Sequence, residues 1–349
     1  MIRRIGEVCV ALLLCLGFMC GCSTQRKEKA NDGKLLIYAC FEHEQVSQYL
    51  AAFQKAHPDI EYEVIVDSHG VIMAKLLAER ANPKADVIFG LSAFNMEQLK
   101  NEGLLSPLTL TNLKAFNPQF VDSIDSKEKK PYYVGLSGVE SVIIVNEKEL
   151  AKKGLKTPSS YAELLEPQYK GLITMPNPSS SGTGFLSMVG FVSLMGEKGA
   201  WEYMSALDKN IALYTHSGSK PARLAASGEY PIGISLGYRG HKMLKDSEPI
   251  AMIFPKEGYG WDLESLALVR KDSIKPSAIT FIEWASSESA MKEYASNNAL
   301  VAIPTNTPTP LGYEAKPRII PIDFATFAKE RDSMLKQWDK QFQNKSEAK

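Results

Sequence analysis

Three short stretches concentrate groups that could grip an anion. Asp67-Ser68-His69-Gly70 lies between an apolar run, Tyr62–Val66, and a helical pattern from Val71 to Ala81. Ser68 can cap that helix, with His69 beside it, and the amides of Gly70 and Val71 can bond an anion's oxygen. A plain helix cap is the alternative use of the same residues. Asn177-Pro178-Ser179-Ser180-Ser181-Gly182-Thr183-Gly184 directly precedes a long apolar helix. Ser180, Ser181, Gly182 and Thr183 set hydroxyl and amide donors where a helix dipole is positive, which suits a phosphate, phosphonate or carboxylate. No Gly-Lys-Ser/Thr follows, so it is not a P-loop, and a flexible loop is the alternative. Leu236-Gly237-Tyr238-Arg239-Gly240-His241 reads as a loop after the strand-like Ile232–Leu236. Tyr238 and Arg239 could both reach an anion, the arginine in bidentate fashion, or Arg239 could simply be solvated. Glu42, after the first strand, and Trp261, Asp262 and Glu264, before Ser265–Arg270, offer carboxylates for an ammonium group and an indole face for a cation. Hinge or surface positions would use the same residues without a ligand.

These stretches need elements to hold them. Lys34–Cys40, Tyr62–Val66 and Ala85–Phe89 read as strands, with helices from Gln45 to His57 and from Val71 to Ala81 between them. Strand, helix, strand, helix, strand in some fifty residues implies a parallel sheet. Met96–Glu102 predicts a further helix. Beyond Gly135 a second set follows, with strands at Ser141–Asn146, Leu172–Met175 and Ile232–Leu236 and helices at Tyr161–Leu165, Phe185–Leu194 and Ala200–Leu207. Ala251–Pro255 and Ser265–Arg270 would carry the chain back, and Ala278–Ser286, Ala290–Asn297 and Asp323–Phe342 look helical. The expected class is α/β in two lobes joined by more than one crossing strand, each a mainly parallel sheet flanked by helices, with a ligand cleft beyond the carboxyl ends of the strands. Residues 34–135 would form the first part of lobe 1 and 136–254 lobe 2. Residues 255–349 would complete lobe 1 with the C-terminal helices.

Residues 1–21 read as a targeting segment. Arg3 and Arg4 precede an apolar stretch, Val8 to Met19, that is short for a membrane span. It ends in Met19-Cys20-Gly21-Cys22, which resembles a lipobox with Cys22 as the acylated residue, Cys20 being the alternative acceptor and an uncleaved anchor the alternative fate. Residues 22–33 would then be a polar tether between lipid and fold. The cysteines stand at 9, 15, 20, 22 and 40, so acylation of Cys22 leaves Cys40 without a disulfide partner. The expected location is the extracytoplasmic or periplasmic face of a membrane. Charge is balanced at 40 basic and 40 acidic residues, and loss of Arg3, Arg4 and Glu7 leaves 38 and 39. That balance excludes a basic nucleic-acid surface.

No catalytic set assembles. The chain after the leader has no zincin, redox Cys pair, nucleophile elbow or dinucleotide fingerprint, and His43, His57, His69, His216 and His241 lack metal-ligand spacing. No enzyme activity, resident metal or cofactor is expected.

Several runs together carry a family resemblance: Ser68 to Ile72 leading into Ala74 to Glu79, Asn82-Pro83, Ala85-Asp86-Val87, Ser180 to Gly184, Tyr214 to Gly218, Phe254 to Gly258 with Gly260-Trp261, Asp323-Phe324 and Lys345-Ser346-Glu347. On these the chain resembles the family 1 extracellular solute-binding proteins over everything after the tether, and within them the binding proteins assigned to 2-aminoethylphosphonate import. The resemblance implies a periplasmic-binding-protein fold of type II and a lipid-anchored monomer. That monomer captures a small anionic ligand, with an ABC permease and its ATPase as partners. Ferric-ion binders of the superfamily carry adjacent tyrosines where Tyr238-Arg239 stand, and sugar-phosphate binders carry a His-Asp pair. Departures from the aminophosphonate pattern are His69 for Thr, Ser137 near an expected acid, and Gly237 where an acid is common. Ferric-iron capture, and a surface antigen or adhesin that keeps the fold, are the alternative functions.

Overall fold

Apolar side chains on both faces make Leu35–Ala39 (β1) a central strand, with four of its five residues buried. The computed structural model describes residues 33–122, 130–314 and 317–347, so the leader and Cys22 lie outside the described residues. His43–Ala56 (α1) turns Val46, Tyr49, Leu50 and Phe53 onto the sheet. Tyr62–Val66 (β2), His69–Ala78 (α2) and Val87–Ser92 (β3) follow, and both strands pair in parallel with β1. Next come Ala93–Asn101 (α3), Leu105–Ser106 (β4) and Tyr133–Val145 (β5). The chain continues through Glu147–Lys152 (α4), Ile173–Pro176 (β6), Gly182–Asp208 (α5), Ile211–Thr215 (β7), Lys220–Ser227 (α6), Ile232–Leu236 (β8), Gly237–Lys245 (α7) and Ala251–Ile253 (β9). Trp261–Val269 (β10), Pro276–Ala285 (α8), Glu288–Ala295 (α9), Leu300–Val301 (β11) and Phe324–Phe342 (α10) complete the described elements.

The strands run in the order β2-β1-β3-β10-β5-β8-β6-β7. β5 belongs to both halves of this sheet. Its stretch up to Glu140 pairs antiparallel with β10, and Ser141–Val145 pairs antiparallel with β8. The sequence reading placed a strand only at Ser141–Asn146, yet the strand is continuous from Tyr133, and the crossing point falls at Glu140 and Ser141.

Two main cores lie on either side of this crossing. The first gathers β1, β3, β10, α8 and α9 around Tyr49, Phe53, Phe89, Phe281 and Tyr294, with Tyr49 edge-on to Tyr294 at 4.8 Å. The second gathers Tyr161, Phe185, Phe191, Tyr203 and Tyr214. Here α10 departs from the expected division of the chain. Its Phe327, Met334, Trp338 and Phe342 pack into the second core, with Trp338 edge-on to Tyr214 at 5.1 Å. α5 unites the two helices expected at Phe185–Leu194 and Ala200–Leu207, and the break between them is a kink at Gly196, whose φ of 71° favours glycine.

Candidate functional site

Parallel strands put the N-termini of their following helices on one edge of a sheet, and this chain uses that consequence repeatedly. Glu42, Ser68, Ser92, Ser181, Ser219 and Leu236 are the N-cap residues of α1, α2, α3, α5, α6 and α7. All six line a single cleft of about 640 Å³ between the two halves of the fold. Positive helix ends therefore converge on it from both sides.

The two sides differ in how those ends are satisfied. On the first side, α1 begins in a capping box in which the Glu42 amide donates to Gln45 Oε1 at 3.2 Å. The Val71 amide donates to Ser68 Oγ at 3.4 Å. Asp262, reaching over from β10, accepts from the Ala93 amide at 3.1 Å and from the Ser92 hydroxyl. On the second side, α5, α6 and α7 have no side-chain cap. Hydroxyls of Ser180, Ser181, Thr183, Ser217 and Ser219 surround those open ends.

Burial sets the charge of the first side. Desolvation pushes the Asp262 carboxyl up to about 7 against the pull of its hydrogen bonds. Glu264 is pushed up to about 7 by burial, against a hydrogen bond from Ser137, with the charges of Asp262 and Glu42 adding. Burial, then the charge of Arg331, lowers the His69 imidazole to about 4. Its Nδ1 accepts from the Ser92 amide at 3.1 Å, which leaves the proton on Nε2. Burial and the nearby Glu44 and Glu42 raise the Tyr238 phenol to about 12.

The fold thus brings Glu42, Ser68, His69, Gly70, Ser180, Ser181, Gly182, Thr183, Tyr238 and Asp262 to one cleft. Two expected residues are placed otherwise. Arg239 does not line the cleft; its Nη2 meets Glu42 Oε2 at 3.0 Å, so the expected anion grip and the expected amine partner neutralise each other. Trp261 is 1 % exposed, donates to the Ile320 carbonyl at 2.7 Å and packs against Phe120 and Phe324, so its face is closed to any cation. The expected loop at 236–241 is the first turn of α7. Gly240 is there for close packing, since a Cβ would come within 2.6 Å of Ile144 Cδ1.

Glu264, offered from sequence as a carboxylate for an ammonium group, also lines the cleft, whereas Ser92 and the run His216-Ser217-Gly218-Ser219 were not singled out as contacts. The last follows β7 and precedes α6, neither of which the apolar pattern had marked. A hydroxyl-and-glycine run after Ile211–Thr215 was the available signal. The C-terminal residues fix this run. Glu347 accepts from the His216 amide at 3.1 Å and pairs with Lys220, while Asn177 Nδ2 donates to Ser346 Oγ at 2.9 Å. His216 Nδ1 lies 3.1 Å from Ser180 Oγ, which joins the two second-side loops.

Residues 82–327 match the family described as bacterial extracellular solute-binding protein. The chain belongs to this family. It is therefore a solute-binding component of the ABC-importer type, a non-enzymatic transport protein that works with a permease and an ATPase. A Haemophilus influenzae protein described only as uncharacterized is 27% identical over 315 residues, covering 88% of this chain and 90% of that one. Iron uptake protein A1 of Synechocystis is 23% identical over 281 residues, 76% of this chain and 75% of its own. Among solved structures, the periplasmic binding protein AfuA from Actinobacillus pleuropneumoniae, with fructose-6-phosphate bound, superposes with a TM-score of 0.80 at 26% identity. The match covers 90% of this chain and 99% of AfuA. The fold is that of the type II periplasmic binding proteins. Among the described residues, no helix is long and apolar enough to cross a membrane.

Proposed function

We propose that this protein captures a small organic phosphonate or phosphate ester, with 2-aminoethylphosphonate the leading candidate, and holds it near its permease through a lipid on Cys22. One observation carries the reading: three uncapped helix ends with their hydroxyls face the cleft from one side, and carboxyls from the other. The anion sits on the open ends of α5, α6 and α7, gripped by Ser180, Ser181, Gly182 and Thr183, with Tyr238, Ser68, His69 Nε2 and the Gly70 amide closing over it. Asp262 and Glu264 face the opposite end of the ligand. An ammonium group there ionises Glu264 and releases protons near pH 7, whereas a sugar hydroxyl does not. The similarity to AfuA, whose structure contains fructose-6-phosphate, supports the organophosphorus class.

Calorimetry of the mature protein with 2-aminoethylphosphonate, phosphoglycerate and fructose 6-phosphate, in buffers of different ionisation enthalpy, tests both ends at once. Silence with every organophosphorus compound refutes the anion class; binding without proton release refutes the amine. Iron capture is a second reading, favoured by the likeness to iron uptake protein A1 and by Tyr238 in the cleft. A visible tyrosinate-to-iron band on adding Fe(III) is its signature. Against it, burial and then the neighbouring carboxylates hold the proton on Tyr238, and no cluster of three or more His, Cys, Asp or Glu suited to a metal exists among the described residues.

A further inference from the structure

We infer that Arg331, on α10, supplies the permanent positive charge for an anion held on the open end of α5 with the Ser68–Gly70 turn of α2 closing over it. The inference rests on the organophosphorus reading above. A cleft for an anion needs a compensating charge, and this one shows a deficit. Its lining carries Glu42, Asp67, Asp262 and Glu264, and no lysine or arginine among the described residues. The cations closest in sequence to the lining are already engaged: Arg239 by Glu42, and Lys220 by Glu347.

Arg331 differs from both. Its guanidinium carbon stands 5.2 Å from the centre of the Phe185 ring, and the group forms no ion pair among the described residues. Asp332, beside it on α10, is the only carboxylate among the described residues whose charge acts on it. Phe185 belongs to the first turn of α5, immediately after Gly182-Thr183-Gly184. The other neighbour that feels Arg331 is His69, the first residue of α2. α10 thus sets one unpaired guanidinium beside the two helix ends that carry the Ser68 and Ser180–Thr183 loops. A half-buried guanidinium with no ion-pair partner is costly to the unliganded protein, and because Arg331 does not itself line the cleft, it acts on an anion there through space from behind the two helix ends rather than by direct contact. Contact with the Phe185 ring fixes the position of that charge before the ligand arrives.

Arg331→Met and Arg331→Lys in the mature protein test this by calorimetry with methylphosphonate, 2-aminoethylphosphonate and fructose 6-phosphate at low and high salt. R331M should weaken whichever of these bind by about 10- to 100-fold and flatten their salt dependence. R331K should restore most of the loss. R331M should also raise the His69 imidazole pKa, read by NMR titration. Affinity in R331M within about threefold of wild type overturns the inference while leaving the ligand class intact. R331K as weak as R331M, with an unchanged salt slope, also overturns it, because packing on Phe185 would then be the whole role. Wild-type protein that binds none of the three compounds removes ligand class and inference together. If R331M melts early, R331Q takes its place in the same measurements.

Discussion

Glu140 should make this protein less stable as pH rises, and replacing it by glutamine should abolish that loss. The residue lies at the crossing of β5 and β10, opposite Trp261, and is 0 % exposed. Neither carboxylate oxygen has a well-formed hydrogen bond among the described residues, and the nearby Tyr313 hydroxyl and the residue's own amide only partly offset its burial. Burial pushes its pKa from an ordinary 4.5 to about 8, with the charge of Glu264 adding to it. The folded protein therefore holds a proton that the unfolded chain gives up. Stability from this group is full below about pH 4.5, falls as pH rises, and levels off above about pH 8. Between pH 5 and pH 8 the linkage amounts to about 3 kcal/mol, or about 4–5 °C in Tm for a chain of this size.

Glu140→Gln keeps the shape and removes the titration. Thermal melts at half-unit steps from pH 5 to pH 9 should show the two proteins nearly matched at pH 5. The variant should then pull ahead by several degrees at pH 8. Asp262 and Glu264 titrate in both proteins, so the difference between the two curves isolates Glu140. Parallel curves, or a wild type that gains on the variant as pH rises, would refute the assignment of a neutral buried carboxyl at the crossing point.

Three further outcomes are expected. Arg239→Gln should weaken ligand binding by only about threefold, an effect that fades in about 0.5 M salt, because its ion pair with Glu42 is still partly open to solvent and contributes about 1 kcal/mol; a loss of two orders of magnitude in titration calorimetry would put Arg239 on the ligand instead. Gly218→Ala should cost binding about tenfold or more with little change in Tm, since the new Cβ would run into the Thr183 side chain on the anion side of the cleft; affinity and melting point together check it. Cys22→Ser should move the protein from the membrane fraction to the soluble one, as followed by fractionation and immunoblot.

Much of the scaffold was legible because its local signals were strong. Tyr62–Val66 and Ile232–Leu236 were located to the residue, since β-branched runs bounded by polar residues and glycine leave little choice. The serine-rich run before α5 and the Ser68 cap were legible for the same reason. α7 was not, because Gly237 and Gly240 read as loop formers while serving close packing on β5 and β9. That Trp261 leaves the site while Asp262 and Glu264 stay was within reach of a simpler rule. Alternate residues of a strand share a face, so Asp262 and Glu264 point together into the cleft and Trp261 must turn away into the core. Reading that stretch as a loop hid the alternation.

The charges were harder, for a reason that no local pattern removes. A strand-end arginine offers the same side chain to a ligand or to a carboxylate, and the choice depends on what the rest of the fold places beside it. For Arg239 that neighbour is Glu42, 197 residues away in sequence and on the opposite side of the cleft. Once the pair forms, the Tyr238-Arg239 motif no longer brings a free cation to the site, and the source of charge must be sought on another element. α10 is such an element: it packs Trp338 and Phe342 into the second core while touching the first turn of α5 through Arg331 and Phe185. Its amphipathic pattern shows that it is a helix with one buried face, but the register that turns Arg331 toward Phe185 is set by Phe327, Met334 and Trp338 finding their places in a core assembled from distant segments. Recognition by fixed charge is thus a tertiary property here, whereas the helix-end amides of α5, α6 and α7 follow from the order of strands and helices along the chain.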